Sequence, residues 1–252
     1  MKTYLLLTLS LALLIVAASA QTGFKREQLR NSRVRQAYVQ KEPGAKALFK
    51  AHELTYPPKE ILIRIFKQEG LLELWAADPA GKAMTRVKEY PVCASSGDLG
   101  PKRKRGDGQV PEGFYTINHF NPQSNFHLSL GLNYPNRSDQ LLSDRDDPGS
   151  AIYIHGDCVT IGCIPITDEG IKELYLIALE ARNGGQEKIP VHIFPCRMEG
   201  PGYQQLLEEH REDPVLLRFW NNLKQGYDFF GTNKPIPQIM VDRKGNYFFN
   251  QP

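Results

Sequence analysis

The sequence is poor in cysteine and, beyond its first twenty residues, in long apolar runs. Only four cysteines occur in 252 residues, and none of them forms the paired Cys-x2-Cys knuckle that is typical of structural zinc sites. No cysteine follows the N-terminal apolar run, so the sequence offers no lipid-attachment site. After residue 20 no run is apolar enough for a transmembrane helix. A net charge of +3 is too small to indicate nucleic-acid binding by itself.

The first twenty residues have the pattern of a secretory signal peptide. Lys2 is followed by the thirteen-residue apolar run YLLLTLSLALLIV and by the small residues ASA at 18–20. Such a run is too short to span a bilayer comfortably, and small residues mark a cleavage site. We therefore predict that residues 1–20 are removed. The mature protein is then expected in the periplasm or cell envelope, without a transmembrane anchor.

The rest of the chain alternates strand-like runs with loops that are rich in Gly, Pro, Asn and Asp. The strand-like runs are EILIRIFK, LLELWAAD, AMTRVKEYPV, GFYTINHF, FHLSLGLNY, AIYIHG and IPVHIFP. Helical patterns occupy 25–41 and 168–183, the second with Thr167 as a predicted N-cap, and a further helix is predicted to begin at Asp213–Pro214. The tail PQIMVDRKGNYFFN predicts a hairpin.

These elements predict an α+β fold, with a β-rich body flanked by helices. We assign 21–56 to an N-terminal helical segment, 57–196 to the main body and 197–252 to a C-terminal helix plus hairpin. The longest loop, SSGDLGPKRKRGDGQVPEG, has a length that usually means a functional or disordered segment. Its KRKR run at 102–105 is interpreted as a solvated turn, with contact to an anionic polymer as the alternative. No aromatics interleave it, so it does not indicate a nucleic-acid site.

The stretch IHGDCVTIGCIPITDEG places His155 at the end of a strand-like run and Cys163 just before a helix. A thiol with an ordinary pKa of about 8.5 is mostly protonated at neutral pH, whereas the thiolate is what attacks carbonyls. A neighbouring imidazole can take that proton and return it to a leaving amine. Gly156 and Gly162 allow close backbone approach and offer N–H groups to a developing oxyanion. The pattern indicates a cysteine nucleophile with a histidine base; a buried structural cysteine beside a backbone-bonded histidine is the alternative.

Two other classes of function remain open from the residues alone. One is a zinc site, because the sequence contains the spacing H-x2-C-x4-C followed by H-x3-C, which could ligate zinc. The residues of this pattern are His155, Cys158, Cys163, His192 and Cys196. The second alternative is a non-catalytic module that binds cell-wall glycan, with its cysteines in disulfides. The four cysteines permit three full pairings, and a working thiolate leaves at least one of them unpaired.

Several separated motifs resemble the L,D-transpeptidase family with a YkuD-type catalytic domain. HG…TIGCIP is similar to the family's His-Gly…Ser/Thr-x-Gly-Cys signature, and CASSGDLGPKRKRGDGQVPEGFYTI to its strand–loop–strand segment with a Pro-x-Gly turn. FNPQSNFHLSLGLNYPN followed by HGDCVTIGCIPITD resembles the YafK-like branch. The resemblance covers about 57–196 and implies a β-sandwich-like domain with helices, and a Cys–His site that needs no cofactor and no metal.

By this resemblance Cys163 is the nucleophile and His155 the general base. The backbone around Gly162–Cys163 would form the oxyanion hole, and Thr160 occupies the family's hydroxyl position. The implied substrate is a peptidoglycan stem peptide: Cys163 attacks the carbonyl of the third residue and expels the D-residue after it. An amine of a neighbouring stem, a protein lysine or water then resolves the thioester. The resemblance implies a role in cell wall biogenesis and cell shape.

The sequence departs from many family members beside the nucleophile. Ile161 stands where a basic or polar residue precedes the Gly, and Pro165 stands where an Arg or Asn follows the Cys. The interval from His155 to Cys163 is also shorter than in many members. How the stem carboxylate is held, and whether the reaction is transfer or hydrolysis, therefore stays open. The alternative reaction is that of an amidase that releases an envelope protein from peptidoglycan.

Further candidates for the substrate groove come from hydroxyls and one histidine. His127 could orient His155 or line the groove, with pairing to the backbone as the alternative. Ser95, Ser96 and Tyr134 are candidate groove residues, although hydroxyls near turns usually cap the backbone. A disulfide between Cys93 and Cys158 is one arrangement that would leave Cys163 free.

Overall fold

The computed structural model describes residues 23–77, 80, 83–231 and 236–250. The predicted signal peptide at 1–20 lies outside these ranges. Within them, no helix combines the length and the apolar character that crossing a membrane requires. The described part contains an eight-stranded mixed sheet, a two-stranded hairpin and helices on both faces of the sheet, so the α+β class is confirmed.

Ten strands are found in the described residues. They are β1 (Ile61–Phe66), β2 (Leu71–Ala77), β3 (Met84–Pro91), β4 (Gly113–Asn121), β5 (Ser129–Leu132), β6 (Tyr153–His155), β7 (Ile164–Pro165), β8 (Ile189–Phe194), β9 (Gln238–Val241) and β10 (Tyr247–Asn250). The order in the large sheet is β3-β2-β1-β8-β4-β5-β6-β7, and β9 pairs with β10 as the predicted hairpin. Two neighbouring pairs, β1–β8 and β6–β7, are parallel. The short strand β7 was not predicted.

Besides a short helical segment at 23–28, five helices accompany these strands in the described residues. They are α1 (Ser32–Ala51), α2 (Arg137–Leu142), α3 (Thr167–Asn183), α4 (Gly200–Glu209) and α5 (Pro214–Phe229). Helix α5 begins as predicted, because the Asp213 carboxylate accepts hydrogen bonds from the N–H groups of Val215 and Leu216. Helices α2 and α4 were not predicted.

Helix α3 has nearly the predicted bounds, and its start lies directly after β7. The formal N-cap is Ile166, one residue before the predicted Thr167. The Thr167 hydroxyl nevertheless accepts the N–H of Gly170 at 3.2 Å, as a capping side chain does. Asp168 and Glu169 place negative charge in the first turn, which the positive end of the helix dipole favours.

Helix α1 extends beyond the predicted helix over 25–41. A separate helical segment at 23–28 precedes it, and Asn31 then caps α1 by accepting the N–H of Arg33. The helix continues through Pro43 to Ala51 because its apolar face is buried on both sides of the proline. The buried residues of that face are Val34, Ala37, Ala45 and Phe49.

The sheet is buried on both faces, which explains the continuous apolar character of β1. Side chains alternate along a strand, so Ile61, Ile63 and Ile65 join the main core with α1 and α3. Phe66 points to the opposite face, where a second core includes residues of α4, α5 and the hairpin. The two edges of the sheet, β3 and β7, come close to each other. The N–H of Cys93, just after β3, donates to the carbonyl of Pro165 in β7 at 3.0 Å. The sheet therefore curls.

The long loop between β3 and β4 is held by one buried lysine, rather than being disordered. The Lys67 ammonium donates to the carbonyls of Asp98, Gly100 and Val110 at 2.8–3.0 Å and to the Glu112 carboxylate at 3.0 Å. These partners lie on both arms of the loop. A buried charge of this kind is stable only when it is paired and hydrogen-bonded, so the Lys67–Glu112 pair fixes where the loop runs.

The KRKR run within this loop is the predicted solvated turn only in part, because Lys104 and Arg105 are exposed whereas Lys102 is buried. Lys102 is only 5% exposed, and its ammonium donates to Asp107 Oδ1 at 2.5 Å and to the carbonyl of Lys104 at 2.8 Å. Asp107 Oδ2 also accepts the N–H groups of Arg103 and Lys104. The run folds around its own carboxylate because Asp107 supplies acceptors that a buried lysine requires.

Candidate active site

His155 ends strand β6, and Cys163 directly precedes the adjacent strand β7 at the edge of the large sheet. Strand β6 ends at His155, and β7 begins one residue after Cys163, with Ile154 paired to Ile164 in parallel register. Both of these isoleucines are buried in the main core. The Cys163 sulfur lies against the backbone of the segment before His155, 3.8 Å from the Ala151 carbonyl oxygen. The fold thus brings the two predicted residues to neighbouring positions.

No hydrogen bond joins the Cys163 thiol to the His155 ring among the contacts of the described residues. The thiol instead faces the Ala151 carbonyl, and the ring is bonded elsewhere. A cysteine side chain turns about its Cα–Cβ bond among three staggered positions, and hydrogen bonds of a catalytic pair often tighten only when substrate binds. Proton transfer from Cys163 to His155 therefore requires the thiol to turn away from Ala151.

The His155 ring is buried and oriented by its neighbours. Its Nδ1 lies 2.5 Å from the carbonyl oxygen of Gly156; an N–H at Nδ1 leaves Nε2 as the proton acceptor. The Phe126 ring lies over the imidazole, with the two ring centroids 4.7 Å apart. Burial lowers the pKa of His155 below its ordinary value, although the Gly156 carbonyl and the Asp157 charge oppose that shift. The imidazole is therefore neutral at neutral pH.

The Cys163 thiol is free and half-buried. Burial raises its pKa, while a backbone N–H from Tyr153 and the positive charge of Lys102 act in the opposite direction. Both shifts favour a neutral thiol beside a neutral imidazole over a thiolate–imidazolium pair. Burial therefore keeps the sulfur protonated in this structure.

The Thr160 hydroxyl organises the turn that carries Cys163. Its oxygen accepts the N–H of Gly162 at 3.1 Å and the N–H of Cys163 at 2.8 Å, and it donates to the Cys163 carbonyl at 2.8 Å. The two N–H groups that the sequence suggested for an oxyanion hole are thus occupied. They can serve a developing oxyanion only after the Thr160 hydroxyl releases them.

Gly156 and Gly162 are required by close approaches of the backbone. A Cβ at Gly162, whose φ is +132°, would lie 3.0 Å from the carbonyl oxygen of Gln109 in the long loop. A Cβ at Gly156 would lie 2.4 Å from Asp168 Oδ1 and 2.9 Å from the Phe126 carbonyl oxygen. The N–H of Gly156 already donates to the Phe126 carbonyl at 3.1 Å. Both glycines therefore position the site, and the Gly156 N–H is occupied.

Cys93 and Cys158 form a disulfide, the arrangement that leaves Cys163 free. It ties the loop between His155 and Cys163 to the end of β3. Since the Cys158 sulfur is bonded to Cys93, it does not ligate zinc in the way that the alternative pattern required. Cys196, the other free cysteine in the described residues, is buried, and burial raises its pKa to about 12.

Loss of this disulfide is expected to destabilise the protein by about 2–4 kcal/mol, because the bond closes a long loop in the unfolded chain. The two cysteines are 65 residues apart in the sequence. The measurement is chemical denaturation of the Cys93→Ala/Cys158→Ala double variant against the wild type, with and without a reductant. Reductant should lower the stability of the wild type and leave the double variant unchanged. Equal stability of the two proteins in the absence of reductant would contradict the bond.

Two of the three predicted groove hydroxyls, those of Ser96 and Tyr134, have structural partners. The Ser96 hydroxyl donates to the Gly108 carbonyl at 2.8 Å, across the long loop. The buried Tyr134 hydroxyl donates to the Pro148 carbonyl at 2.8 Å. Ser95 lines a small pocket beside Cys163, together with Lys67 and Val110. Of the three, only Ser95 lies at the candidate nucleophile.

His127 lies beside the site without a hydrogen bond to His155. Its backbone has a φ of +68°, a left-handed conformation that few non-glycine residues adopt. Its Nδ1 lies 3.9 Å from Asp168 Oδ2, and its Nε2 is buried without a partner among the described contacts. Burial lowers the pKa of this histidine. The structure therefore places His127 behind Gly156, as part of the wall rather than as a direct partner of the base.

Sequence reasoning missed two residues at the candidate site, one beside His155 and one beside Gly162. Phe126 covers the His155 ring, and the backbone of Gln109 lies against Gly162. Phe126 precedes His127 in a run that was interpreted as a strand, and no local pattern marks its contact with His155. Gln109 belongs to the long loop, whose path depends on the buried Lys67–Glu112 pair.

Comparison with known proteins gives a consistent result. The YkuD family model, described as the L,D-transpeptidase catalytic domain, matches residues 63–193. The Escherichia coli (strain K12) protein named "Putative L,D-transpeptidase YafK" is 34% identical over 194 residues, which are 76% of this chain and 74% of that protein. The protein of the same name in Escherichia coli O157:H7 gives the same values.

Two solved structures share parts of the fold at low identity. The helical cell shape determining protein Pgp2 from Campylobacter jejuni has a TM-score of 0.44 and 16% identity, and the match covers 75% of this chain and 74% of that one. Bdellovibrio bacteriovorus Bd1075 has a TM-score of 0.40 and 22% identity, over 70% of this chain and 64% of that one. Similarities this loose carry no argument about the present chain.

Proposed function

The chain belongs to the L,D-transpeptidase family with the YkuD catalytic domain, and we propose that it is an exported enzyme that acts on peptidoglycan stem peptides through Cys163. The observation that carries the proposal is a free thiol beside β6, the strand that ends in a buried, neutral histidine. The proposed catalytic domain is 57–196, with 21–56 and 197–252 as its flanking segments. The Cys93–Cys158 disulfide, in which Cys158 is exposed and Cys93 half-buried, supports export, since such bonds persist in oxidising compartments.

In the first half of the proposed reaction, His155 acts as a base. Nε2 takes the thiol proton while the Cys163 sulfur bonds to the carbonyl carbon of the third stem residue. The hydrogen bond from Nδ1 to Gly156 keeps Nε2 available for this transfer. Collapse of the tetrahedral intermediate breaks the peptide bond, and the imidazolium returns its proton to the leaving D-residue amine. A thioester on Cys163 remains.

In the second half, an acceptor resolves the thioester. His155 takes a proton from an amine or from water as that nucleophile attacks, and the proton then returns to the departing sulfur. An amine gives a new crosslink, whereas water gives a shortened stem. The oxyanion in both halves needs N–H donors, and release of Gly162 and Cys163 by the Thr160 hydroxyl would supply two of them.

Hydrolysis, including release of an envelope protein from peptidoglycan, is the second candidate reaction. It is favoured by what surrounds Cys163: Ile161 is exposed, and Pro165 is buried on β7. Neither side chain can hold a stem carboxylate by charge. If the acceptor stem binds more weakly, water competes more effectively with the acceptor amine for the thioester.

The thioester itself provides the sharpest test of the proposal. Incubation with a tetrapeptide stem is expected to add the mass of a tripeptide acyl group to the protein, on the proteolytic peptide that contains Cys163. Mass spectrometry of the intact protein and its peptides checks this result. Mass spectrometry of the muropeptides then separates the reactions, because new dimers mean transfer and trimmed stems or lysine-linked remnants mean hydrolysis. Turnover of stems with no dependence on the Cys163 thiol would overturn the proposal.

A further inference from the structure

We infer that Arg33 of α1 is a positioning residue for His155, acting through the segment 124–127, which we call the clamp loop; this inference rests on the proposed function. One guanidinium nitrogen, Nη1, donates to the Ser124 carbonyl at 2.6 Å and to the His127 carbonyl at 2.7 Å. Nη1 carries two hydrogens, so each carbonyl can receive one. Arg33 thereby joins the first and last residues of the clamp loop.

The clamp loop forms the wall against which His155 rests. The Phe126 ring lies over the imidazole at a centroid distance of 4.7 Å. The Phe126 carbonyl accepts the N–H of Gly156 at 3.1 Å, and Gly156 in turn holds Nδ1 of His155 through its own carbonyl. Both the face of the ring and its bonded nitrogen therefore depend on where Phe126 lies.

The clamp loop needs an outside support because its backbone is strained. His127 has a φ of +68°, and a non-glycine residue in this region persists only where surrounding contacts hold it. Within the loop, the Ser124 hydroxyl accepts the N–H of Phe126 at 3.1 Å. The His127 carbonyl is bonded by Arg33, so the support reaches the strained residue itself.

The support comes from outside the residues that the family model matches. Arg33 lies on α1, whereas the match covers 63–193. Helix α1 packs against α3, which begins two residues after β7. The N-terminal helix is thus anchored on the same helix that follows the nucleophile, and Arg33 extends that anchoring to the base.

Helix α1 also contains a matched control for this contact. Arg35 Nη1 donates to the Leu29 and Arg30 carbonyls at 2.9 and 2.7 Å. Arg33 and Arg35 are both exposed and both bridge two backbone carbonyls through one nitrogen. Only Arg33 bonds to the clamp loop. Replacing either arginine by alanine therefore removes the same kind of hydrogen bonds, but only the Arg33 variant loses bonds to the clamp loop.

The charged and titratable groups around His155 define the expected pH effect. Asp157 adjoins the ring and raises its pKa. Asp168 and His127 lie behind Gly156, and Cys163 lies directly before the neighbouring strand β7. The largest influence on His155 is burial, which lowers the pKa. Loosening Phe126 admits water to the ring, so the pKa should rise toward its ordinary value.

The experiment compares Arg33→Ala, Arg33→Lys and Arg35→Ala with the wild type. Arg33→Ala is expected to lower kcat about tenfold, since small misplacements of a catalytic group are costly, and to move the acid limb of the pH profile to higher pH. Arg33→Lys should recover part of the rate, because an ammonium can also donate to two carbonyls. Arg35→Ala should leave both quantities at wild-type values. An unchanged acid limb in Arg33→Ala, or an equal change in Arg35→Ala, would overturn the inference.

An NMR titration of His155 in the same variants separates this inference from the proposed reaction. The imidazole pKa is expected to rise in Arg33→Ala and to stay unchanged in Arg35→Ala, whether or not stem peptides are substrates. If the wild type has no activity on stem peptides but the titration is as expected, the proposed function is refuted and the positioning role of Arg33 is retained. Activity that depends on Cys163, combined with an unchanged titration, would refute the positioning alone.

Discussion

Cys163→Ala is expected to reduce turnover of stem peptides to the uncatalysed level, a loss of about 10⁴-fold or more. The reason is chemical: the methyl group has no lone pair with which to form the thioester, and the described free thiols offer no substitute, because Cys196 is buried. The fold should be retained, since Cys163 is only half-buried and its Sγ lies 3.8 Å from the Ala151 carbonyl oxygen, a long contact. Product formation measured by mass spectrometry, alongside thermal unfolding, checks both expectations.

Cys196→Ala is the matched control for that experiment. Cys196 is free, like Cys163, but it is buried in the second core, and its pKa is raised to about 12. Its loss should reduce stability by the transfer and cavity terms of a small buried side chain, about 1 kcal/mol, and leave turnover unchanged. If Cys163→Ala kept its turnover while Cys196→Ala lost it, the nucleophile would have been assigned to the wrong sulfur.

Local signals were sufficient for most strands and for the helix starts. The apolar runs of β1 and β8 mark buried strands, and Asp213 before Pro214 marks the start of α5. Strand β5 is shorter than its predicted run because the clamp loop turns at His127. The strand propensities of the individual residues do not reveal this turn. The two-residue β7 has too little periodicity to be recognised.

Contacts between distant segments were out of reach of the sequence. Arg33 is separated from His127 by 94 residues, and only the packing of α1 on α3 brings them together. Phe126 meets His155 because β5 pairs with β6. Such contacts depend on topology, and no local pattern encodes them.

The state of the candidate pair could not be predicted for a different reason. The sequence indicates a thiol and an imidazole, but their charges depend on burial, which the fold determines. Burial favours the neutral form of both groups. The hydrogen bonds from the N–H groups of Gly162 and Cys163 to the Thr160 hydroxyl could not be predicted either, because the geometry of the folded turn decides whether the hydroxyl reaches them. Under the proposed function, these features describe a resting site that substrate binding has to rearrange.

His155→Ala is expected to lower kcat/KM about 10²- to 10⁴-fold, the usual range for loss of a general base, or about 3–5 kcal/mol of transition-state stabilisation. The effect should be large because the pKa of Cys163 is raised, so that few thiolates form without a base. His127→Asn is the matched control: asparagine tolerates the left-handed backbone at this position, and the variant removes a ring that does not bond to His155. Its rate should stay close to that of the wild type.

The pH profile of the wild type tests the charge state of the same residue. His155 must be neutral to accept the thiol proton, and its pKa lies below the ordinary 6.5 because burial disfavours the imidazolium. As pH falls, the base therefore remains neutral further into the acid range than an exposed histidine would. The acid limb of kcat/KM should bend below pH 6.5 in the wild type and disappear in His155→Ala. An acid limb above pH 6.5 would mean that the pKa of His155 is raised, contrary to the effect of its burial.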